Sequence, residues 1–210
     1  TSEAMANYMT LLGWSVPEGV SERFKVSEIS EVFSLEKVNK ASAKFDWDKL
    51  NWLNSQVIHE MSPETLLDNL EPFFKNNGWE VPSKDWGRDL VKLLGPSMVL
   101  INDGVDQAKP FFENPKLNAD GKNQLELKEA KEVLKFISEN LKKLDYSLID
   151  EKQLIDLVNQ ATKTCGVKKG LVMKSLRAAL FGTLNGPDLI KSWVLLSRFT
   201  KDRTRIGRFL

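Results

Sequence analysis

Residues 166–189 read GVKKGLVMKSLRAALFGTLNGPDL, and this stretch shows most clearly how the chain folds. Its apolar residues recur at helical spacing over residues 169–181, and Gly182 follows at a place where glycine commonly ends a helix. Gly186 and Pro187 then open another helical segment, since proline is favoured at the first helical position. The stretch therefore predicts two successive helices joined by a short turn.

The same helical pattern continues on both sides of this stretch. Residues 150–153, DEKQ, resemble a capping box, and Ser62 followed by Pro63 is a second start signal. Residues 46–61, DWDKLNWLNSQVIHEM, place their apolar side chains at helical spacing. Strand signals are weak, and no repeat of fixed period is evident. We therefore expect a predominantly α fold.

The composition is that of an ordinary globular protein. Of 210 residues, 41% are hydrophobic and 28% are charged, which excludes a disordered chain. No stretch approaches 18 apolar residues, so a membrane span is not expected. A single cysteine, Cys165, and a single histidine, His59, exclude a metal site built from these residue types and supply no pair of nucleophile and base. We therefore expect a structural role for Cys165 and a surface or half-buried imidazole for His59.

Charge is distributed unevenly along the chain. The 30 basic and 29 acidic residues give a net charge of +1, which alone argues against a strongly basic nucleic-acid-binding protein. Residues 161–210, however, carry 11 basic and two acidic residues, a net charge of +9, while the rest carries −8. A basic helical segment with interleaved aromatic residues fits a phosphate-binding surface. An ordinary solvated helix face is the alternative interpretation.

Two interpretations are open for the tryptophans near residue 50. Trp47 and Trp52 lie five residues apart, and so are expected to face different directions on one helix. Either they pack in the core, or they form a platform on which nucleotide bases stack beside Lys49.

Three phrases resemble a known family. FDWDKLNWLNSQVI, at residues 45–58, is similar to the stem-contact region of bacterial-type glutamyl-tRNA synthetases. The stretch at residues 166–189 is similar to the segment of their anticodon-binding domain written GVK…PLRxALTG…P.L. NYMTLLGWS, at residues 7–15, is similar to the segment that follows their KMSKS-type loop. The resemblance spans essentially the whole chain.

The resemblance implies the C-terminal portion of a class I aminoacyl-tRNA synthetase without its catalytic core. It implies a small stem-contact domain at residues 1–62, followed by a two-part α-helical anticodon-binding cage at residues 63–148 and 149–210. HIGH-type and KMSKS-type motifs and an initiator methionine are absent, so we expect a fragment that binds tRNA and holds no cofactor. The parent enzyme would ligate glutamate to tRNA with ATP and magnesium in its missing catalytic domain.

The resemblance also assigns binding residues where the motifs match. Lys49, Trp52 and Asn54 match positions that face the inner corner of tRNA. Arg177 matches the arginine that approaches the anticodon bases, and a guanidinium offers planar contacts with several donors. The residues that match the surrounding loop and helix start are Gly186, Pro187 and Leu189. The candidates for phosphate contact are Lys168, Lys169 and Lys174.

One departure from the family pattern bears on tRNA specificity. Members that accept only glutamate tRNA carry an arginine in the stretch aligned with Gly95-Pro96-Ser97, where it reads the third anticodon base. Here an ungapped alignment places Ser97 at that position. Glutamate and glutamine anticodons differ at this base, C against G, and a small residue should admit both. We therefore expect a non-discriminating parent enzyme that also charges tRNA(Gln).

The sequence leaves two classes of partner open. The first is tRNA(Glu), together with tRNA(Gln), bound by a monomer in the cytoplasm or, in a eukaryote, in an organelle stroma or matrix. The second is a protein, since an α-helical interaction scaffold could pair the −8 and +9 parts with each other or with a partner. A self-contained enzyme is not favoured, because no acid–base or metal-binding set is present.

Overall fold

The structure is a computed structural model that describes residues 1–38 and 44–210, and nearly all of its regular elements are helices. The α-helices among these residues are α1 (Ser2–Gly13), α2 (Trp47–Glu60), α3 (Pro63–Asn76), α4 (Lys84–Leu94), α5 (Ile101–Phe112), α6 (Ala119–Glu126), α7 (Lys128–Leu141), α8 (Glu151–Thr164), α9 (Lys169–Phe181), α10 (Leu189–Ser197) and α11 (Lys201–Gly207). Short 3-10 turns lie at Val26–Glu28, Leu35–Lys37, Gly95–Ser97 and Tyr146–Leu148. The described residues contain one isolated β-bridge, between Trp14 and Val38. The predicted, predominantly α fold is confirmed.

Side-chain caps decide where several helices begin. The side chains of Asp46, Ser62 and Asp150 each accept a hydrogen bond from the N–H three residues later, at the starts of α2, α3 and α8. The side chain of Gln153 also accepts from the backbone N–H of Asp150 at 3.2 Å, so the predicted capping box is confirmed. These bonds satisfy first-turn N–H groups that have no partner within the helix.

The segment after Gly182 differs from the sequence prediction. We expected Gly186 and Pro187 to open a helix, but α10 begins at Leu189, and both residues lie in the preceding loop. The reason is Asp188, whose carboxylate accepts from the N–H of Lys191 at 2.9 Å and so caps the helix two residues later than predicted.

The described residues pack as two compact units. Unit 1 contains Thr1–Gly78 and Leu94–Asp106, and unit 2 contains Trp79–Leu93 and Gln107–Leu210. No helix in the described part of the chain is long and apolar enough to cross a membrane.

The main core of unit 1 lies between α1 and α2. Ala4 and Tyr8, one turn apart on α1, pack against Leu53 and Val57, one turn apart on α2. Burying each large aliphatic side chain contributes about 1.5–3 kcal/mol. This packing fixes α2, and therefore determines which of its side chains face solvent.

The core of unit 2 lies among α7, α8 and α9. Ile137, Val158 and Leu176, one from each helix, are fully buried. Ala130, Leu134 and Leu141 are also fully buried, on the same face of α7 as Ile137. The opposite side of α9 is therefore left to carry the polar residues of its motif.

Candidate nucleic-acid interface

The start of α9 is an open, basic surface. Lys168 precedes the helix without a side-chain cap, and Lys168, Lys169 and Lys174 are exposed. A Cβ atom added to Gly170 would meet no heavy atom within 4 Å, so the backbone is accessible there. None of the three lysines forms an ion pair with any carboxylate among the described residues. Since N–H groups and the helix dipole favour anions at a helix N-terminus, this arrangement suits a phosphate group.

Arg177 lies further along the same face of α9. It is three residues after Lys174 and seven after Gly170, spacings that place the three residues on one side of a helix. We call Lys168, Lys169, Gly170, Lys174 and Arg177 together the α9 surface.

The Arg177 guanidinium is held against the loop before α10. It is half-buried, and its Nη1 donates to the carbonyl oxygen of Pro187 at 2.8 Å. Burial lowers the pKa of Arg177 below its ordinary value, and the nearby Asp188 carboxylate opposes that shift. Among the described residues Nη1 is the only Arg177 atom with a hydrogen bond, which leaves other donors of the planar group available to a ligand.

Three residues near Arg177 were predicted to surround the anticodon bases. Two of them, Gly186 and Pro187, lie in the loop before α10, and the third, Leu189, lies in the helix. Gly186 is exposed with φ 142°, a backbone conformation that favours glycine, and Pro187 is half-exposed. Leu189 is buried as the first residue of α10. Leu189 thus anchors the helix start, while Gly186 and Pro187 face solvent beside Arg177.

Most of the other basic residues near the C-terminus are engaged within unit 2. Arg205 is only 2% exposed, and its guanidinium donates to the carbonyl oxygens of Leu180, Pro110 and Glu113 at 2.7, 2.6 and 2.7 Å. Desolvation lowers the pKa of Arg205 to about 10, so the group remains charged at neutral pH. Lys201 Nζ donates to the Phe111 carbonyl oxygen at 2.8 Å.

Two further arginines, Arg203 and Arg198, also interact with side chains of unit 2. The Arg203 guanidinium carbon lies 3.3 Å from the ring centroid of Tyr146, and Arg198 pairs with Asp89 at 3.0 Å. The net charge of +9 over residues 161–210 therefore overstated the basic surface, because the count cannot separate solvent-facing cations from internal ones. The lysines of the α9 surface are among the cations that do face solvent.

The three residues predicted to contact the tRNA stem occupy different environments. Lys49 Nζ pairs with the Glu22 carboxylate at 2.6 Å, and Trp52 is 45% exposed. Asn54 is buried, and its Nδ2 donates to the Val99 carbonyl oxygen at 2.6 Å. Its Oδ1 accepts from the Thr1 hydroxyl at 2.9 Å. Asn54 thus ties α2 to its neighbours within unit 1, whereas Lys49 and Trp52 reach the surface.

Aromatic rings are exposed at the start of α2. Trp47 is 68% exposed and Phe45 is 42% exposed, with 4.7 Å between their ring centroids. The other four tryptophans are buried, namely Trp14, Trp79, Trp86 and Trp193. Core packing is therefore wrong for Trp47 and Trp52, which are the two tryptophans near the motif. We call Phe45, Trp47, Lys49 and Trp52 together the α2 surface.

The stretch aligned with the specificity-determining arginine forms a 3-10 turn. Gly95 is buried, and a Cβ atom there would lie 3.2 Å from Leu66 Cδ2. Ser97 is exposed, and its hydroxyl donates to the Leu94 carbonyl oxygen at 2.8 Å. Of these two predicted residues, Ser97 is the one whose side chain can meet a ligand.

Cys165 and the exposed His59 both lie at helix ends. His59 Nε2 lies 3.1 Å from the Met98 carbonyl oxygen, and Cys165 ends α8, where burial raises the pKa of its thiol. Within residues 1–38 and 44–210, no three His, Cys, Asp or Glu side chains are grouped closely enough to hold a metal ion.

Comparison with known proteins identifies the family. The model of the family described as anticodon binding domain matches residues 65–209. The chain is 74% identical over all 210 residues to a glutamate–tRNA ligase of Prochlorococcus marinus (strain NATL2A), and 54% identical to one of Synechococcus sp. (strain CC9311). In both comparisons the chain spans 44% of the relative's length.

Solved structures give the same result. A glutamate tRNA ligase from Elizabethkingia meningosepticum CCUG26117, crystallised in complex with its amino acid, superposes with a TM-score of 0.89 at 26% identity, over 99% of this chain and 40% of that one. The glutamate–tRNA synthetase of Elizabethkingia anophelis superposes with a TM-score of 0.84 at 26% identity, with the same coverage. The resemblance to glutamyl-tRNA synthetases is thereby confirmed, and the chain belongs to the anticodon-binding domain family.

Proposed function

We propose that this chain recognises tRNA as part of a glutamate–tRNA ligase, with residues 1–62 contacting the stem and residues 63–148 and 149–210 binding the anticodon. In this proposal the ligase attaches glutamate to tRNA with ATP and magnesium, which bind in the part that the relatives have beyond this chain. No step of the ligation is assigned to the described residues.

The observation that carries the proposal is the α9 surface. It combines exposed lysines at an uncapped helix start with a half-buried arginine whose guanidinium is oriented by the Pro187 carbonyl. The lysines suit phosphate groups, and their attraction is independent of sequence. An oriented guanidinium suits an unpaired base, on which it can stack or to which it can donate two hydrogen bonds.

A binding titration tests the proposal. The 210-residue chain is titrated with a tRNA(Glu) transcript and with the same transcript carrying replaced first and second anticodon bases. We expect at least about tenfold weaker binding of the altered transcript, because each lost base contact costs about 1–3 kcal/mol. Equal binding of both transcripts would contradict anticodon recognition. Absence of any tRNA binding would favour a protein-interaction scaffold.

We also propose that the parent enzyme is non-discriminating and acts as a monomer in the cytoplasm on both tRNA(Glu) and tRNA(Gln). Ser97 supports this, because its short exposed side chain leaves room for either C or G at the third anticodon base. The tRNA(Glu) and tRNA(Gln) transcripts are therefore expected to bind with similar affinity. Ser97→Arg is expected to weaken the binding of tRNA(Gln) selectively. A strong preference of the unmodified chain for tRNA(Glu) would overturn the proposal.

A further inference from the structure

Asn118 connects the start of α6 to the segment that follows α9. Its Oδ1 accepts from the N–H of Gly121 at 2.8 Å and so caps α6. Its backbone N–H donates to the Gly182 carbonyl oxygen at 2.9 Å, and its Nδ2 donates to Thr183 Oγ1 at 3.3 Å. A single asparagine therefore holds two chain segments that lie about 65 residues apart in sequence.

The backbones of these two segments are in direct contact. A Cβ atom added to Gly121 would lie 2.6 Å from the Gly182 carbonyl oxygen, and one added to Gly182 would overlap the Lys116 carbonyl oxygen. Gly182 also has φ 75°, in the left-handed region. No side chain separates the segments, so a displacement near Asn118 is transmitted directly to the chain after Gly182.

The bonds continue from Asn118 to Arg177. Thr183 Oγ1 accepts a second hydrogen bond, from the N–H of Asn185 at 3.3 Å, which uses both of its lone pairs. The next two residues are Gly186 and Pro187, and the Pro187 carbonyl accepts from Arg177 Nη1 at 2.8 Å. The Asn118 side chain is thus the outer end of a path to the Arg177 guanidinium. The path runs through the two hydrogen bonds of Thr183, the backbone from Asn185 to Pro187, and the bond between Pro187 and Arg177.

We infer that Asn118 is a positioning residue for tRNA recognition, which acts through Thr183 and the loop to Pro187 to set the orientation of the Arg177 guanidinium. The inference rests on the proposed function. Because a guanidinium distinguishes bases by the direction of its N–H groups, a loosened loop reduces base selectivity more than it reduces overall attraction to RNA.

The test measures selectivity rather than affinity alone. The readout is the ratio of affinities for the tRNA(Glu) transcript and for the transcript with two replaced anticodon bases. Asn118→Ser keeps an oxygen that can cap α6 but removes the donor to Thr183. Thr183→Val removes the shared acceptor with little change of shape, and Thr183→Ser restores it. Asn140→Ser is the matched control, because Asn140 on α7 bonds to Phe136 and Lys143 and not to the loop.

We expect Asn118→Ser and Thr183→Val each to lower the selectivity ratio about three- to tenfold, the equivalent of one neutral hydrogen bond. In these two variants, the affinity for the altered transcript and the melting temperature should stay close to those of the unmodified 210-residue chain. Thr183→Ser and Asn140→Ser should leave the selectivity ratio unchanged. If Arg177→Ala lowers the ratio while Asn118→Ser and Thr183→Val do not, the positioning role is wrong and the proposed function stands. If the unmodified chain itself shows no selectivity between the two transcripts, the positioning role and the proposed function are both wrong.

Discussion

The α2 surface and the α9 surface both match motifs of one family, yet their chemistry differs. Unit 1, which carries the α2 surface, has 14 acidic and seven basic residues, a net charge of −7. Unit 2, which carries the α9 surface, has 23 basic and 15 acidic residues, a net charge of +8. The lysine of the α2 surface is paired with Glu22, whereas the lysines of the α9 surface have no carboxylate partner among the described residues.

Under the proposed function, we expect the two surfaces to contribute differently to RNA binding. The α9 surface can supply long-range electrostatic attraction and a directional guanidinium. The α2 surface offers exposed aromatic rings, whose stacking with bases or sugars acts at contact distance and depends little on salt. We therefore expect affinity and its salt dependence to come mainly from unit 2.

The largest expected effect is on the stability of unit 2. Arg205→Met should lower its free energy of unfolding by about 3–5 kcal/mol, because three carbonyl oxygens lose a charged, buried donor. Hydrogen exchange should show lost protection in unit 2 and retained protection in α1 and α2. The control is Arg208→Met, at an exposed arginine, where a change within about 0.5 kcal/mol is expected. Similar stabilities for both variants would show that Arg205 does not support the unit.

The next effect concerns base recognition. Arg177→Ala should weaken binding of the tRNA(Glu) transcript by about 1–3 kcal/mol, as expected for loss of an arginine that reads a base. Filter binding at fixed salt measures the change. Arg198→Ala removes an exposed arginine that is already paired with Asp89, and should change affinity much less. If the two variants behave alike, Arg177 acts only as a charge.

The salt dependence of RNA binding tests whether the α2 surface and the α9 surface contribute differently to electrostatic attraction. Lys174→Ala should reduce the slope of log affinity against log salt by about 1, because one phosphate contact is lost. Lys49→Ala should reduce it less, because Glu22 already offsets that charge. Equal slopes for the two variants would remove the distinction between the surfaces.

The smallest effect is expected at the ion pair of the α2 surface. Glu22→Gln frees Lys49 and removes a negative charge, and should strengthen tRNA binding by about 0.2–1 kcal/mol, the usual range for an exposed pair. Glu18→Gln changes charge by the same amount on an exposed glutamate of the same loop. A gain in both variants would point to the overall charge of unit 1 rather than to the pair.

Local signals in the sequence predicted much of the fold. The caps at Asp46, Ser62 and Asp150, and the left-handed Gly182 that ends α9, depend on residues within one turn of each other. Such short-range chemistry is visible in a single sequence. Lys168, Lys169 and Lys174 were named from the sequence as candidates for phosphate contact, and the structure places all three at the surface.

Long-range contacts could not be predicted. Asn54 lies within a matching motif, but its partners Thr1 and Val99 are 53 and 45 residues away, and they bury it. Arg205 was counted among surface charges, although its partners Leu180 and Pro110 lie 25 and 95 residues away. Asn118 has the sequence signal of a helix cap, but nothing near it in sequence indicates its bond to Thr183.

The uneven exposure of the tryptophans gives the protein a built-in optical probe. Trp47 and Trp52 lie on the α2 surface, whereas the other four indoles are buried. Solvated indoles emit at longer wavelengths and are accessible to iodide, while buried indoles are shielded from it. Iodide should therefore quench the red edge of the emission first, and RNA that covers the α2 surface should protect that edge. Fluorescence of the unlabelled chain can thus report contact with one surface while binding to the other is followed by salt dependence.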